Sequence, residues 1–338
     1  EYSKVRKEYT IRNYETESCG NLYAFIIERS FIIGNNLNII GMIIPMSGTV
    51  TPRMTSLQNL FLKKNKLWVS YFAGDSNPGQ LFEGVKSQLS IFINMYSNYN
   101  KVLTTKYKRW FWNEREIIFN NIYYIDSTNY IETYHFKKLN FNIELKLLQK
   151  IKNNRIKIYK FINSNSNNLL FYKNAGNAYY RMCYTFEPIT KENGVIKKSS
   201  TLNTICTTLS SKIFQAIISS SLFNYFWFIS SDCYHLTKKD IYEFPIYDLN
   251  NSYDSNKRLI MLSTKLEDDY KKNSIIKTTY YKTKGQIDYQ EFYPRLSKYL
   301  IDEIDTVLAE HYGFTEEELD FIINYDIKYR MGKQNDED

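Results

Sequence analysis

The sequence predicts an α/β protein: the second half of a doubly wound sheet, then a mixed α/β domain, then a helical tail. Three observations predict this. Helix and strand patterns alternate over the first hundred residues; the rhythm is lost between 100 and 250, where positive charge collects; and capped helical periodicity closes the chain. The predicted domains are 1–99, 100–250 and 251–338.

In order, N-L-Y-A-F-I-I-E-R-S-F-I-I (21–33) places apolar residues at helical spacing, with Glu28 and Arg29 on the other face. N-I-I-G-M-I-I-P (38–45) is a nearly continuous apolar run ended by Pro45, the pattern of a buried strand in a parallel sheet. Thr51-Pro52 starts a helix running through L-Q-N-L-F-L-K-K, with proline at its first position. Strands follow at 67–73 and 88–96, separated by a loop that begins G-D-S-N-P-G (74–79). No Gly-x-Gly-x-x-Gly turn follows a leading strand, so a nucleotide-type cofactor turn is not in this chain.

In the middle region, strands are predicted at 120–125 and 155–162, with a helix at 143–152 between them. A hairpin is predicted over 169–184 around Ala175-Gly176-Asn177, and one buried helix over 209–229. H-L-T-K-K-D-I-Y-E-F-P-I (235–246) opens a short helix capped by Thr237 and Asp240 and ended by Pro245. The tail predicts a helix stopped at Gly313, then a second one opened by a Thr315/Glu318 capping box.

Net charge is +8 overall, distributed as +3 over 1–100, +10 over 101–250 and −5 over 251–338. A basic middle fits a polyanion-binding module. Lys106, Lys108, Arg109, Lys173, Arg181, Lys197 and Lys198 are candidates to neutralise phosphates, and His235, Lys238 and Lys239 sit at a capped helix start; ordinary solvated charge is the competing reading for each. Trp110 and Trp112 are expected in the core, and the acidic helices of 294–324 away from DNA. Four dispersed cysteines and three histidines show neither disulfide nor zinc spacing, which points to reduced thiols and a cytoplasmic location without metal. No apolar run reaches membrane-spanning length.

Several segments, in order, resemble adenine-N6 DNA methyltransferases, including the methyltransferase parts of type IIG restriction–modification enzymes. They are N-L-Y-A-F-I-I-E (21–28), G-M-I-I-P-M-S (41–47), L-F-E-G-V-K-S-Q-L-S-I-F (81–92), H-L-T-K-K-D-I-Y-E-F-P-I (235–246) and the stretch from I-D-E-I-D-T-V-L (301–308) to Y-R-M-G (329–332). The resemblance implies that 1–99 is the C-terminal half of a catalytic domain, 100–250 a target-recognition domain and 251–338 a helical tail. It implies S-adenosylmethionine as methyl donor and duplex DNA as partner. It assigns Phe82 to stacking on an adenine rotated out of the duplex, with Pro45 and Ser47 next to the pocket.

The Asn-Pro-Pro-Tyr/Phe tetrapeptide of that family is absent; Asn77-Pro78-Gly79-Gln80 has one proline and the wrong place. The resemblance therefore implies that the tetrapeptide, the cofactor turn and an N-terminal catalytic half lie upstream of Glu1, and that this chain alone lacks activity. Two readings of Phe82 remain: first core residue of a strand, or stacking surface. The rival reading of the whole chain is a non-catalytic DNA-binding specificity module that works with a separate subunit.

Overall fold

A computed structural model describes residues 13–34, 39–63, 65–74, 79–131, 136–175 and 182–331. The chain forms two compact units, Glu1–Leu145 with Phe228–Tyr234, and Lys146–Trp227 with His235–Asp338. The class is mixed α/β with a helical C-terminal tail, as the sequence predicts.

In the first unit, helix α1 (Leu22–Gly34) buries Ala24, Phe25 and Ile27. Glu28, expected on its polar face, is buried instead. Its carboxylate accepts from Glu15 N, Thr16 N and Thr16 Oγ1 at 2.7–2.9 Å and so holds the preceding 3-10 turn. Then come β1 (Ile39–Pro45), α2 (Ser47–Val50), a 3-10 turn led by Pro52, α3 (Thr55–Phe61), β2 (Asn65–Phe72), β3 (Leu89–Tyr96), β4 (Lys101–Lys108) and the short β5 (Ile125–Asp126). They form one sheet in the order β1-β3-β2-β4-β5. β3 runs antiparallel to both β1 and β2, and β2 runs parallel to β4.

Three sequence expectations are corrected here. The 38–45 run is an antiparallel strand at the edge of the described sheet, with Ile44 its one fully buried side chain, because β3 covers only one of its sides. The sheet crosses residue 100, since β4 pairs with β2, so the 99/100 boundary does not coincide with a break in the structure. Of the predicted strand at 120–125, only Ile125 enters the sheet; Tyr123 is exposed, and Tyr124 hydrogen-bonds Ser70 Oγ at 2.6 Å instead of joining the ladder.

The second unit begins within helix α4 (Asn142–Asn153). The predicted strand at 155–162 shrinks to β6 (Ile156–Lys157) followed by a 3-10 turn. β7 (Asn168–Lys173) and β8 (Cys183–Tyr184) pair antiparallel as the predicted hairpin requires, its 176–181 turn lying outside the described residues. β9 (Thr190–Glu192) and β10 (Val195–Ile196) form a hairpin on Asn193-Gly194, and β11 (Leu202–Thr207) pairs with β7. Asn193 and Gly194 both have positive φ, the requirement of the tight hairpin turn that Asn-Gly satisfies.

The predicted single helix over 209–229 is two: α5 (Ser211–Ser219) and α6 (Ser221–Ser230), bent by 63°. Ser220 breaks it. Its backbone is extended, and its Oγ donates to Ile217 O and accepts from Phe223 N at 3.0 Å, ending one helix and capping the next. No single helix among the described residues is long and apolar enough to cross a membrane.

α7 (Lys238–Tyr242) carries the predicted Thr237/Asp240 capping box, and β12 (Pro245–Ile246) pairs with β6. α8 (Tyr253–Lys272) follows. The tail then departs from a purely helical expectation: β13 (Ile275–Tyr281) and β14 (Gly285–Glu291) form a hairpin, and β14 pairs with β9, giving a four-stranded sheet β10-β9-β14-β13. α9 (Lys298–Tyr312), α10 (Glu316–Asn324) and α11 (Ile327–Arg330) close the chain, with Gly313 in the left-handed conformation and Thr315/Glu318 as the predicted box. Buried Gln215 ties α5 to its neighbours, donating to Cys183 O at 3.2 Å and accepting from Ser263 Oγ at 2.5 Å.

Candidate nucleic-acid interface

Because β1, β2 and β4 run the same way, their carboxyl ends share one end of the sheet, where ligands gather in open α/β folds. Pro45 is exposed at the end of β1, paired with Leu89, and half-buried Ser47 opens α2. Between them Met46 N donates to Gln88 O at 2.9 Å, which brings the end of the Phe82 loop to the same place.

That loop leaves β2 at Gly74, where a Cβ would lie 1.8 Å from Ser87 O, so only glycine permits the two loop ends to close on each other. Within it Arg115 forms a fork: Nη1 donates to Gln80 O at 2.8 Å and Nη2 to Leu81 O at 3.0 Å. The next residue is Phe82. Leu81 is 4% exposed and Phe82 is 41% exposed, in a turn closed by Val85 N to Phe82 O at 3.2 Å. Leu81 therefore supplies the loop's core anchor, and the reading of Phe82 as first core residue of β3 is corrected: β3 starts seven positions later, at Leu89.

The residues after β4 divide. Trp110 is buried as expected, but Trp112 is 61% exposed, with the Arg115 guanidinium 5.3 Å from its ring centroid. Lys106 is half-buried. Lys108 donates to Ile118 O, and burial, then the Lys106 charge, lowers its pKa. Arg109 is buried with its guanidinium 4.8 Å from the Phe228 centroid. Lys108 and Arg109 are thus committed inside this unit, contrary to their expected place on a phosphate-binding surface. The Arg115 fork left no trace in the sequence, since its acceptors are backbone carbonyls 34 and 35 residues away.

In the second unit, Lys173, Lys197 and Lys198 are brought together. They line a groove of about 860 Å³ with Lys284, Arg295, Tyr184, Tyr281, Tyr289 and Tyr293; its two carboxylates are Glu192 and Glu291. Lys197 pairs with Glu192 at 3.0 Å, and Lys198 donates to Thr204 Oγ1 at 2.9 Å. Burial lowers the pKa of Lys173, with the Glu291 charge opposing it. A basic groove walled by tyrosines offers both phosphate neutralisation and flat faces for sugars or bases. Exposed His235, Lys238 and Lys239 do not line it, and Arg181 lies outside the described residues. Lys284 and Tyr281 come from the tail hairpin, which the sequence reading did not single out, and Arg295 from the 294–324 segment, which it placed away from DNA for its acidity. The signal was present in K-T-T-Y-Y-K-T-K-G (277–285), a basic, β-prone run ending in glycine.

No protein-family model matches the chain, and no curated protein matches it. Among solved structures it is similar to the Type IIL restriction-modification enzyme MmeI in complex with DNA, at 10% identity and a TM-score of 0.48, over 91% of this chain and 52% of that one. The chain spans about half the length of that enzyme.

Proposed function

We propose that this chain is the C-terminal part of a site-specific DNA methyltransferase of the restriction–modification type, acting on adenine N6 in duplex DNA. The carrying observation is Phe82: a partly exposed ring, on a loop clamped by Arg115, at the carboxyl ends of three like-oriented strands. A base inside a duplex is out of reach of chemistry at its amino group, so it is rotated out at a cost of a few kcal/mol. Stacking on an aromatic face returns roughly 1–3 kcal/mol. The ring must keep a free face while its backbone stays fixed, and the fork on Gln80 and Leu81 meets the second need.

In this reading the methyl donor is S-adenosylmethionine. It supplies an electrophilic methyl group, and its main binding turn and the catalytic tetrapeptide belong to sequence outside this chain; Pro45 and Ser47 border the pocket. The free edge of β1 supports such a partner. Among the described strands it pairs with β3 alone, and Ile39 and Ile43 on it, with Ile26, Ile32 and Ile33 of α1, are exposed. The basic groove supports duplex DNA as the substrate. Because that groove lies wholly in the second unit, a specificity module serving a separate catalytic subunit is the second reading. An Asn-Pro-Pro-Tyr/Phe upstream in the same reading frame decides for the first.

Phe82→Ala in the intact protein is expected to lower the methylation rate about 5- to 150-fold, the rate equivalent of 1–3 kcal/mol. The thermal midpoint is expected to fall by no more than a few degrees, since Phe82 is 41% exposed and Leu81 supplies the loop's core anchor. An unchanged methylation rate in a tritiated-methyl transfer assay sinks the stacking role.

A further inference from the structure

The tail hairpin β13–β14 carries a local chemistry opposite to the net charge of the tail. Its tip, Y-Y-K-T-K-G (280–285), holds Tyr280, 75% exposed, and exposed Tyr281, Lys282 and Lys284. Cross-strand pairing puts Tyr281 on the face that lines the basic groove, and alternation puts Tyr280 on the other. The ribbon's own carboxylates are engaged below the tip: Glu291 pairs with Lys277 at 2.6 Å, and Asp288 accepts from Thr278 Oγ1 at 2.7 Å and Gln286 Nε2 at 2.9 Å. Among the described residues no carboxylate lies in ion-pair reach of Lys282 or Lys284.

The tip is also held in place. Gly285 has φ +76° and closes a three-residue loop, with Lys284 N donating to Tyr281 O at 3.2 Å. Asn193, from the turn of the β9–β10 hairpin, braces it. Its Oδ1 accepts from Gln286 N at 3.0 Å, its Nδ2 donates to Lys284 O at 3.1 Å, and its own N donates to Gln286 O at 2.9 Å. A Cβ at Gly285 would sit 2.5 Å from Asn193 Oδ1, so the brace requires glycine there.

We propose that the β13–β14 ribbon is a DNA-contacting element that enters a groove of the duplex beside the basic groove of the second unit, and this rests on the DNA-binding reading above. β9 flanks β14 below the tip, so the turn between Tyr281 and Gly285, at the end of the four-stranded sheet, is the part narrow enough to reach into a groove. Lys282 and Lys284 contact phosphates on either side, while the tyrosines meet bases and sugars. Asn193 holds the two hairpin tips in register, so that the ribbon docks as a preformed unit.

The test is fluorescence anisotropy of the 338-residue chain with labelled duplex DNA over a series of salt concentrations. Duplex RNA and heparin serve as competitors. Lys282→Ala/Lys284→Ala is expected to make the slope of log K against log salt shallower by about two. Tyr280→Ala/Tyr281→Ala is expected to weaken binding about ten-fold with the slope unchanged. Asn193→Ala, measured beside them, is expected to weaken binding through the brace while far-ultraviolet circular dichroism stays native. Native variants that bind DNA with wild-type affinity and slope overturn the ribbon's role and leave the proposed function standing. An unmutated chain with no salt-dependent affinity for duplex DNA overturns both. Competition by RNA or heparin as strong as by DNA replaces a duplex-DNA contact with a general polyanion surface.

Discussion

Asp305→Ala is expected to destabilise the protein by about 3–5 kcal/mol, the cost of breaking a buried, hydrogen-bonded charge cluster. Asp305 is buried on α9, and its two oxygens accept from Ser221 N and Leu222 N at 3.0 Å each. Those are the first two N–H groups of α6, and Ser220 Oγ takes the third. Without the carboxylate, two buried donors lose their acceptor just where the chain turns by 63°. Buried Arg330 belongs to the same cluster, donating Nη2 to Ser221 Oγ at 2.7 Å and Nη1 to Tyr325 O at 3.1 Å. Asp305→Asn keeps one oxygen acceptor, and its expected cost is about 1–2 kcal/mol. Urea unfolding of the three proteins measures the series; an alanine variant within 1 kcal/mol of wild type rejects the cluster as the pin of α6.

The second large expectation concerns pH. Glu144 is buried at the start of α4, where one oxygen accepts from Asn140 N at 2.6 Å and Phe141 N at 2.8 Å. Burial pushes its pKa from 4.5 up to about 7, against the lowering effect of those N–H groups and of Lys106. The folded state therefore holds a proton that the unfolded state has released between pH 4.5 and 7. Its contribution to stability is complete below pH 4.5 and is lost as pH rises through 7. The full window amounts to about 3 kcal/mol.

Asp305, raised from 3.8 to about 6 by burial, acts with the same sign, and His311, whose pKa burial lowers, opposes it. A comparison with Glu144→Gln cancels both. The variant is expected to gain on wild type by about 2–3 kcal/mol between pH 5 and pH 8, on top of a constant offset from the amide itself. Chemical denaturation of both proteins across that range measures it; a pH-independent difference means that Glu144 does not titrate there.

Elements whose causes are local were legible. The Thr237/Asp240 and Thr315/Glu318 boxes, the Gly313 stop, and the strands β2 and β3 each depend on residues within a few positions, and each stands close to where the sequence predicts it. The Phe82 loop was legible as a loop from its Gly-Pro punctuation. The split at Ser219-Ser220-Ser221 was not, because an apolar run looks the same whether it is one helix or two. Summed tail charge hid the hairpin, whose lysines and tyrosines were averaged against the acidic faces of α9 and α10.

By itself, then, the sequence determined the mixed α/β class, the capped helices and a ring on a loop in a basic, aromatic chain. The tertiary structure alone decided that Leu81 turns inward while Phe82 faces solvent, that Arg115 forks onto two distant carbonyls, and that Lys108 and Arg109 are committed inside. It alone joined β14 to β9 and so brought Lys197, Lys198 and Lys284 around one groove. The physical reason is common to all of these. Capping and strand alternation are short-range and leave a pattern in neighbouring residues, whereas backbone carbonyls accept from any donor and sheet pairing joins strands far apart in sequence, so neither writes a signature into the chain.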